Sequence, residues 1–162
     1  KKVLQAQNMT GSRLSPDDAY FIMRGIRTLD VRLDKHQQNA KQIAKFLSTK
    51  KNIEVLYPLK KNTKNYKLWN KYYSGSSGLM GIKITAKNKK SVDKFVNSLK
   101  LFGHGYSWGG YESLALHQQI KEQGNRKFIK LRKNEHIVRL HIGLEDSKDL
   151  IQDLRKSLKF IK

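Results

Sequence analysis

Gly103-His104-Gly105-Tyr106-Ser107-Trp108-Gly109-Gly110-Tyr111-Glu112-Ser113-Leu114 is the one place in this chain where glycines, aromatics and small hydroxyl residues crowd together. Four glycines fall within eight positions, so the backbone takes conformations a Cβ would forbid or approaches something closely. Tyr106 and Trp108 flank Ser107, a composition suited to lining a pocket and offering it a hydroxyl and a free N–H.

Upstream of this stretch the chain reads as alternating elements. Leu79 to Thr85 alternates like a strand after the Ser74-Gly75-Ser76-Ser77-Gly78 turn. Ser91 is expected to cap a short helix whose core face is Val92, Phe95, Val96 and Leu99. Ile53-Glu54-Val55-Leu56-Tyr57 is a strand stopped by Pro58. Asn62 to Tyr73 is read as a loop with a helical turn around Leu68 and Trp69. Ser15-Pro16-Asp17-Asp18 opens a helix, with a capping serine, a proline at the first helical position and two acids at the positive end of the dipole. Apolar residues then recur at Ala19, Ile22, Met23, Ile26, Leu29, Leu33, Ala40, Ile43, Ala44 and Leu47. That spacing predicts one buried stripe on a long helix, bent or broken near Gly25. Residues 1 to 14 read as an irregular lead-in with a turn at Thr10-Gly11-Ser12.

Downstream, Gln118 to Asn134 is too polar to assign. Ile137 to Ile142 is a strand with Arg139 and His141 on one face and Leu140 and Ile142 on the other. Asp146 or Ser147 caps a final helix with apolar positions Leu150, Ile151, Leu154, Leu158 and Ile161. The sum is an α+β arrangement, a small sheet covered by helices, in a chain of 162 residues long enough for one real core.

Composition narrows the function classes. There is no cysteine, so disulfides and thiolate metal sites are out and a reducing cytoplasm is the expected compartment. No run approaches the ~20 apolar residues of a membrane span. The formal charge of +21 would attract phosphate, but the lysines are scattered, and Asn8, Asn39, Asn52 and Asn88 accompany them as if by a coding bias. Ordinary solvated surface is the expectation, with nucleic-acid binding at most nonspecific. The five histidines show no metal-ligand spacing and are expected at the surface or in hydrogen bonds. Gly105-Tyr106-Ser107-Trp108-Gly109 fits the nucleophile-elbow pattern of serine hydrolases, with Glu135 and His141 as formal partners. The parallel strands that pattern requires are missing.

Arg139 carries more weight. An arginine on an otherwise apolar strand needs an anion. Two readings stand open: an internal salt bridge to Glu112, Glu145 or Asp146, or a forked clamp for a substrate carboxylate.

Five stretches occur in order: Ser15-Pro16-Asp17-Asp18, Arg24-Gly25-Ile26-Arg27-Thr28-Leu29, Ser76-Ser77-Gly78-Leu79, Tyr106 to Leu114, and Arg139-Leu140-His141-Ile142-Gly143-Leu144-Glu145-Asp146. Together they resemble the C-terminal domain of the Cys/Met-metabolism enzymes that use pyridoxal 5'-phosphate, and within that family its bacterial cystathionine β-lyases, where a tryptophan stands before the paired glycines. The resemblance covers nearly the whole chain. It implies the small C-terminal domain of the fold-type I (aspartate-aminotransferase-like) enzymes, with a mostly antiparallel sheet. It implies a carbon–sulfur lyase of methionine biosynthesis, taking cystathionine to homocysteine, pyruvate and ammonia.

By the same resemblance Arg139 is the clamp for the substrate α-carboxylate, and Ser107, Trp108 and Tyr106 shape the substrate pocket. The family's cofactor lysine and phosphate-gripping loops belong to an N-terminal domain that would lie upstream of Lys1. No catalytic or cofactor-binding residue is therefore assigned here, and the chain is expected to be inactive alone. The expected partners are that missing domain, a small amino acid and further copies of the chain. Apolar surface should be exposed on the first part of the long helix and around Trp108.

Overall fold

In the computed structural model, residues 1–61, 65–120 and 131–161 are described. Residues 62–64, the start of the loop expected from Asn62 to Tyr73, and most of the unassigned stretch from Gln118 to Asn134 fall outside them. The chain divides into two compact units, Lys1–Arg32 and Leu33–Lys162.

The first unit holds α1 (Lys2–Thr10), α2 (Pro16–Ile26) and the first residues of α3 (Leu29–Ser48). The lead-in expected to be irregular is thus a helix, ended by Gly11 at φ +66° in the left-handed region. The start of α2 follows the sequence reading: Ser15 Oγ accepts from Asp18 N at 3.0 Å, with Pro16 in the first turn. The long helical segment is broken near Gly25, as expected. It breaks at Arg27-Thr28, just after Gly25, and the Arg32 guanidinium donates to the Gly25 carbonyl there at 2.6 Å. The one continuous buried stripe is corrected, whereas the apolar exposure expected on the first part of the helix is found. Ala40, Ile43, Ala44 and Leu47 are buried, while Ala19, Ile22, Met23, Ile26, Leu29 and Leu33 are exposed.

The second unit is built on a five-stranded sheet, β1 (Ile53–Leu56), β2 (Leu79–Thr85), β3 (Gly103–His104), β4 (Leu114–Gln118) and β5 (Glu135–His141). Their order is β1-β2-β5-β4-β3. Three pairings are antiparallel, and the β3–β4 pairing is parallel. β3 and β4 went unrecognised in the sequence because both are short and Leu114-Ala115-Leu116-His117-Gln118 ends in polar residues.

One face of the sheet, with Val55, Met80, Ile82, Ile84, Ala115, Val138 and Leu140, joins a single core with α3, α5 (Lys89–Asn97) and α6 (Ser147–Ser157). A short helix, α4 (Tyr66–Tyr72), precedes β2, and a 3-10 turn (Leu158–Ile161) follows α6. The cap of α5 is Asn88, whose side-chain Oδ1 accepts from Ser91 N at 3.0 Å, so Ser91 sits one turn inside. The cap of α6 is Asp146. No helix among the described residues is long and apolar enough to cross a membrane.

Candidate functional site

Period-two alternation puts Arg139 on the face of β5 turned away from the core. Its cross-strand neighbours are Gly81 on β2 and Leu116 on β4. Gly81 presents no side chain beside the guanidinium. Two residues on, His141 occupies the same face, as the alternation predicts.

The glycine-aromatic stretch lies over this end of β5 as a loop between β3 and β4. The Arg139 Nη2 donates to the Gly105 carbonyl at 3.0 Å and to the Ser107 carbonyl at 3.4 Å. The Tyr106 ring centroid is 5.9 Å from the guanidinium carbon. Arg139, Ser107 and Tyr106 are therefore brought together, as expected. Trp108 shares their loop, but at 66% exposure, with Tyr106 at 76%, these aromatics form an open rim and not a closed wall.

The expected salt bridge to Glu112, Glu145 or Asp146 is not formed. Among the described residues Arg139 pairs with no carboxylate, and Glu145, one of the three candidates, is engaged elsewhere. Its oxygens accept from Ser113 N at 2.6 Å and Ser113 Oγ at 2.9 Å, and Ser113 Oγ in turn accepts from Gly143 N at 2.8 Å. These bonds, with Leu144 N on the Tyr111 carbonyl at 2.8 Å, pin the C-terminal end of the loop to the residues that follow β5.

The hydrolase pattern has no support in this geometry. Ser107 sits on a loop that runs into a strand, not a helix. Glu135 lies at the far end of β5 and is bound by Arg132, through Nη2 at 2.8 Å, Nε at 3.0 Å and the backbone N–H at 2.9 Å. Those bonds, with Lys83 adding 3.6 Å away, hold its carboxyl down at about 2 against burial. His141 is buried and bonded to the loop backbone.

Asn39 was given no structural role from sequence, and His36 was expected only at the surface or in hydrogen bonds. Asn39, grouped there with a coding bias, is 1% exposed and donates to the carbonyls of Gly143 at 3.0 Å and Glu145 at 2.8 Å. His36 is equally buried, its Nδ1 2.7 Å from the Ile142 carbonyl. Their signal was available. His36 lies four residues before Ala40 and Asn39 four before Ile43, on the same helical stripe.

The fold is shared with solved enzymes that use pyridoxal phosphate. Cystathionine gamma synthase from Xanthomonas oryzae pv. oryzae, solved in complex with aminoacrylate and cysteine, superposes with a TM-score of 0.78 at 30% identity, covering 95% of this chain and 41% of that one. This is the smaller, mostly antiparallel α+β portion of the fold-type I pyridoxal-phosphate enzymes.

The chain belongs to the Cys/Met metabolism PLP-dependent enzyme family, whose model matches residues 1–159. It is similar to cystathionine beta-lyase of Bordetella avium, 36% identical over 98% of this chain and 40% of that protein. It is also similar to cystathionine gamma-lyase of Mus musculus, 37% identical over 94% of this chain and 39% of that one. The chain spans about 40% of the length of these curated relatives.

Proposed function

We propose that residues 1–162 are the C-terminal, substrate-side domain of a carbon–sulfur lyase of the cystathionine β-lyase kind. The reaction takes cystathionine and water to homocysteine, pyruvate and ammonia, in methionine biosynthesis. The observation that carries this reading is a strand arginine with no carboxylate partner among the described residues, facing a glycine-aromatic loop. Arg139 Nη2 is held by two loop carbonyls, which orient the guanidinium. Its Nε and Nη1 make no hydrogen bond among the described residues, so each edge of the guanidinium keeps a donor for an α-carboxylate. Ser107 and Trp108 border that carboxylate from the loop side, and Tyr106 supports the guanidinium through its ring face.

The donor set here is a guanidinium, peptide groups and aromatic rings. None of these condenses with an aldehyde, so the residues at this site fit the substrate's carboxylate and not pyridoxal phosphate itself. The covalent anchor and the phosphate grip are assigned to the part of the family's length that residues 1–162 do not span. The work of Arg139 is to hold the substrate in one orientation while the bond-breaking chemistry is supplied from that part.

The test is reconstitution. Joined to a family N-terminal domain, the chain should release pyruvate from cystathionine, and Arg139→Ala should lower kcat/KM by roughly 10²-fold or more, as loss of a charged clamp on bound substrate does. The chain alone should release none. Pyruvate from the isolated chain, or an Arg139→Ala enzyme as efficient as the unaltered one, would contradict the assignment.

A further inference from the structure

Arg139 and His141 stand two residues apart on one face of β5, and both reach the same loop. Arg139 takes the carbonyls of Gly105 and Ser107. His141 takes the next peptide groups along: its Nε2 is 3.1 Å from the Gly110 carbonyl, and Gly109 N lies 3.2 Å from Nε2 and 3.5 Å from Nδ1. A carbonyl only accepts and a peptide N–H only donates. With its proton on Nε2 the neutral ring donates to Gly110, and the acceptor left for the Gly109 N–H is Nδ1 at 3.5 Å, a pairing only a neutral imidazole makes. Protonation would turn both nitrogens into donors and set one of them against the Gly109 N–H.

The turn this ring holds is a demanding one. Gly109 has φ +83°, in the left-handed region, and directly follows Trp108. Resting on the substrate-side reading of Arg139 above, we propose that neutral His141 is a positioning residue. By clamping the Gly109–Gly110 turn it sets how Tyr106, Ser107 and Trp108 lie against Arg139, and so how the site grips a substrate carboxylate.

The surroundings favour the neutral ring. His141 is 2% exposed, and burial is the first cause that pushes its pKa below the ordinary histidine value. The charged groups facing it are His36 of α3, whose ring centroid is 5.1 Å away, Arg139 of its own strand, and Glu145 beyond the strand. His36 and Arg139 reinforce the downward shift, while Glu145 and the bond to the Gly110 carbonyl oppose it. His36 Nδ1 donates to the Ile142 carbonyl, leaving its Nε2 buried with no partner among the described residues. The sign follows. The clamp is complete above the ordinary histidine pKa and is lost as pH falls through the lower value of the folded chain.

The experiment uses the 162-residue chain, isotope-labelled, and follows the Gly109 amide and the Trp108 indole by NMR. In the unaltered chain, Gly109 exchange protection, corrected for intrinsic rate, should fall about tenfold between about pH 8 and about pH 5. His141→Leu should lack the protection at every pH. His141→Gln, whose amide both donates and accepts, should restore it without the pH dependence. Unchanged protection while the His141 ring titrates in the unaltered chain, or full protection in H141L, overturns the proposal. The first of these needs no variant to fold.

The carboxylate reading is checked separately with L-alanine as probe. Arg139→Lys should abolish the probe-induced shift of the loop amides, and H141L should weaken probe affinity about threefold or more. Undiminished probe binding in R139K sinks the clamp and leaves the Gly109 result standing. Normal affinity in H141L, beside an unprotected Gly109, overturns the link from turn to grip.

Discussion

Glu135 shows what a single side chain contributes here. Three N–H groups of Arg132 converge on its carboxylate, Lys83 adds a longer contact, and the carboxyl stays ionised down to about 2. Its pKa is lowered on folding, so the unfolded chain binds the proton more readily. Stability from this group is full above the unfolded value near 4.5 and drains away as pH falls toward about 2. Urea midpoints measured across that window should fall with pH, and Glu135→Gln should flatten part of the fall. An identical acid profile in the variant would contradict this account. Gly143 matters for a different reason. A methyl group there would meet the backbone of Tyr111 and Glu112 and the Glu145 carboxylate, none of which is the free end of a flexible chain. Gly143→Ala should cost about 1–3 kcal/mol by overpacking, read as a lower urea midpoint. A variant as stable as the unaltered chain would show that the loop yields.

At the scale of elements, the sheet is organised by its middle. β2 and β5 pair along their whole length, from Leu79 opposite His141 to Thr85 opposite Glu135. On β2 the core-facing residues are Met80, Ile82 and Ile84, and Ile82 is wholly buried. Ile82→Ala should cost about 2–5 kcal/mol, whereas a change at half-exposed Thr85 should stay within about 0.5 kcal/mol. Equal denaturant midpoints for the two variants would mean the strand is not the centre of the core. The same alternation that buries Ile82 turns Arg139 outward, so the register that builds the core also presents the site. A slip of one residue would exchange them.

For the molecule as a whole, the feature that asks for a partner is apolar surface in the first unit. Phe21, Ile22, Met23, Ile26 and Val31 are all exposed, and no residue of α1 or α2 is buried. Apolar patches of several hundred Å2 drive association, while the charge of +21 opposes it. Sedimentation of the isolated chain at moderate salt should show oligomers that Phe21→Ser with Ile26→Ser disperses. A monodisperse monomer of the unaltered chain would count against self-association.

Much of this was legible in the residues. Ser15-Pro16-Asp17-Asp18 opens a helix wherever it stands, because its caps satisfy local backbone groups. The alternation of Leu79 to Thr85 and the stripe of Val92, Phe95 and Val96 declare a buried face by period alone. The ordered motifs from Ser15 to Asp146 were enough to point to the family. What they left open depended on groups far apart in sequence. No local pattern says that Asn39 closes on Gly143, or that Glu145 spends its carboxylate on Ser113. Nor does one say that Arg139 has no acid partner among the described residues while His141 takes the peptide beside Trp108. Periodicity and capping are properties of neighbouring residues, so one chain read in order reveals them. A hydrogen bond across a hundred positions exists only once packing has brought its donor and acceptor together.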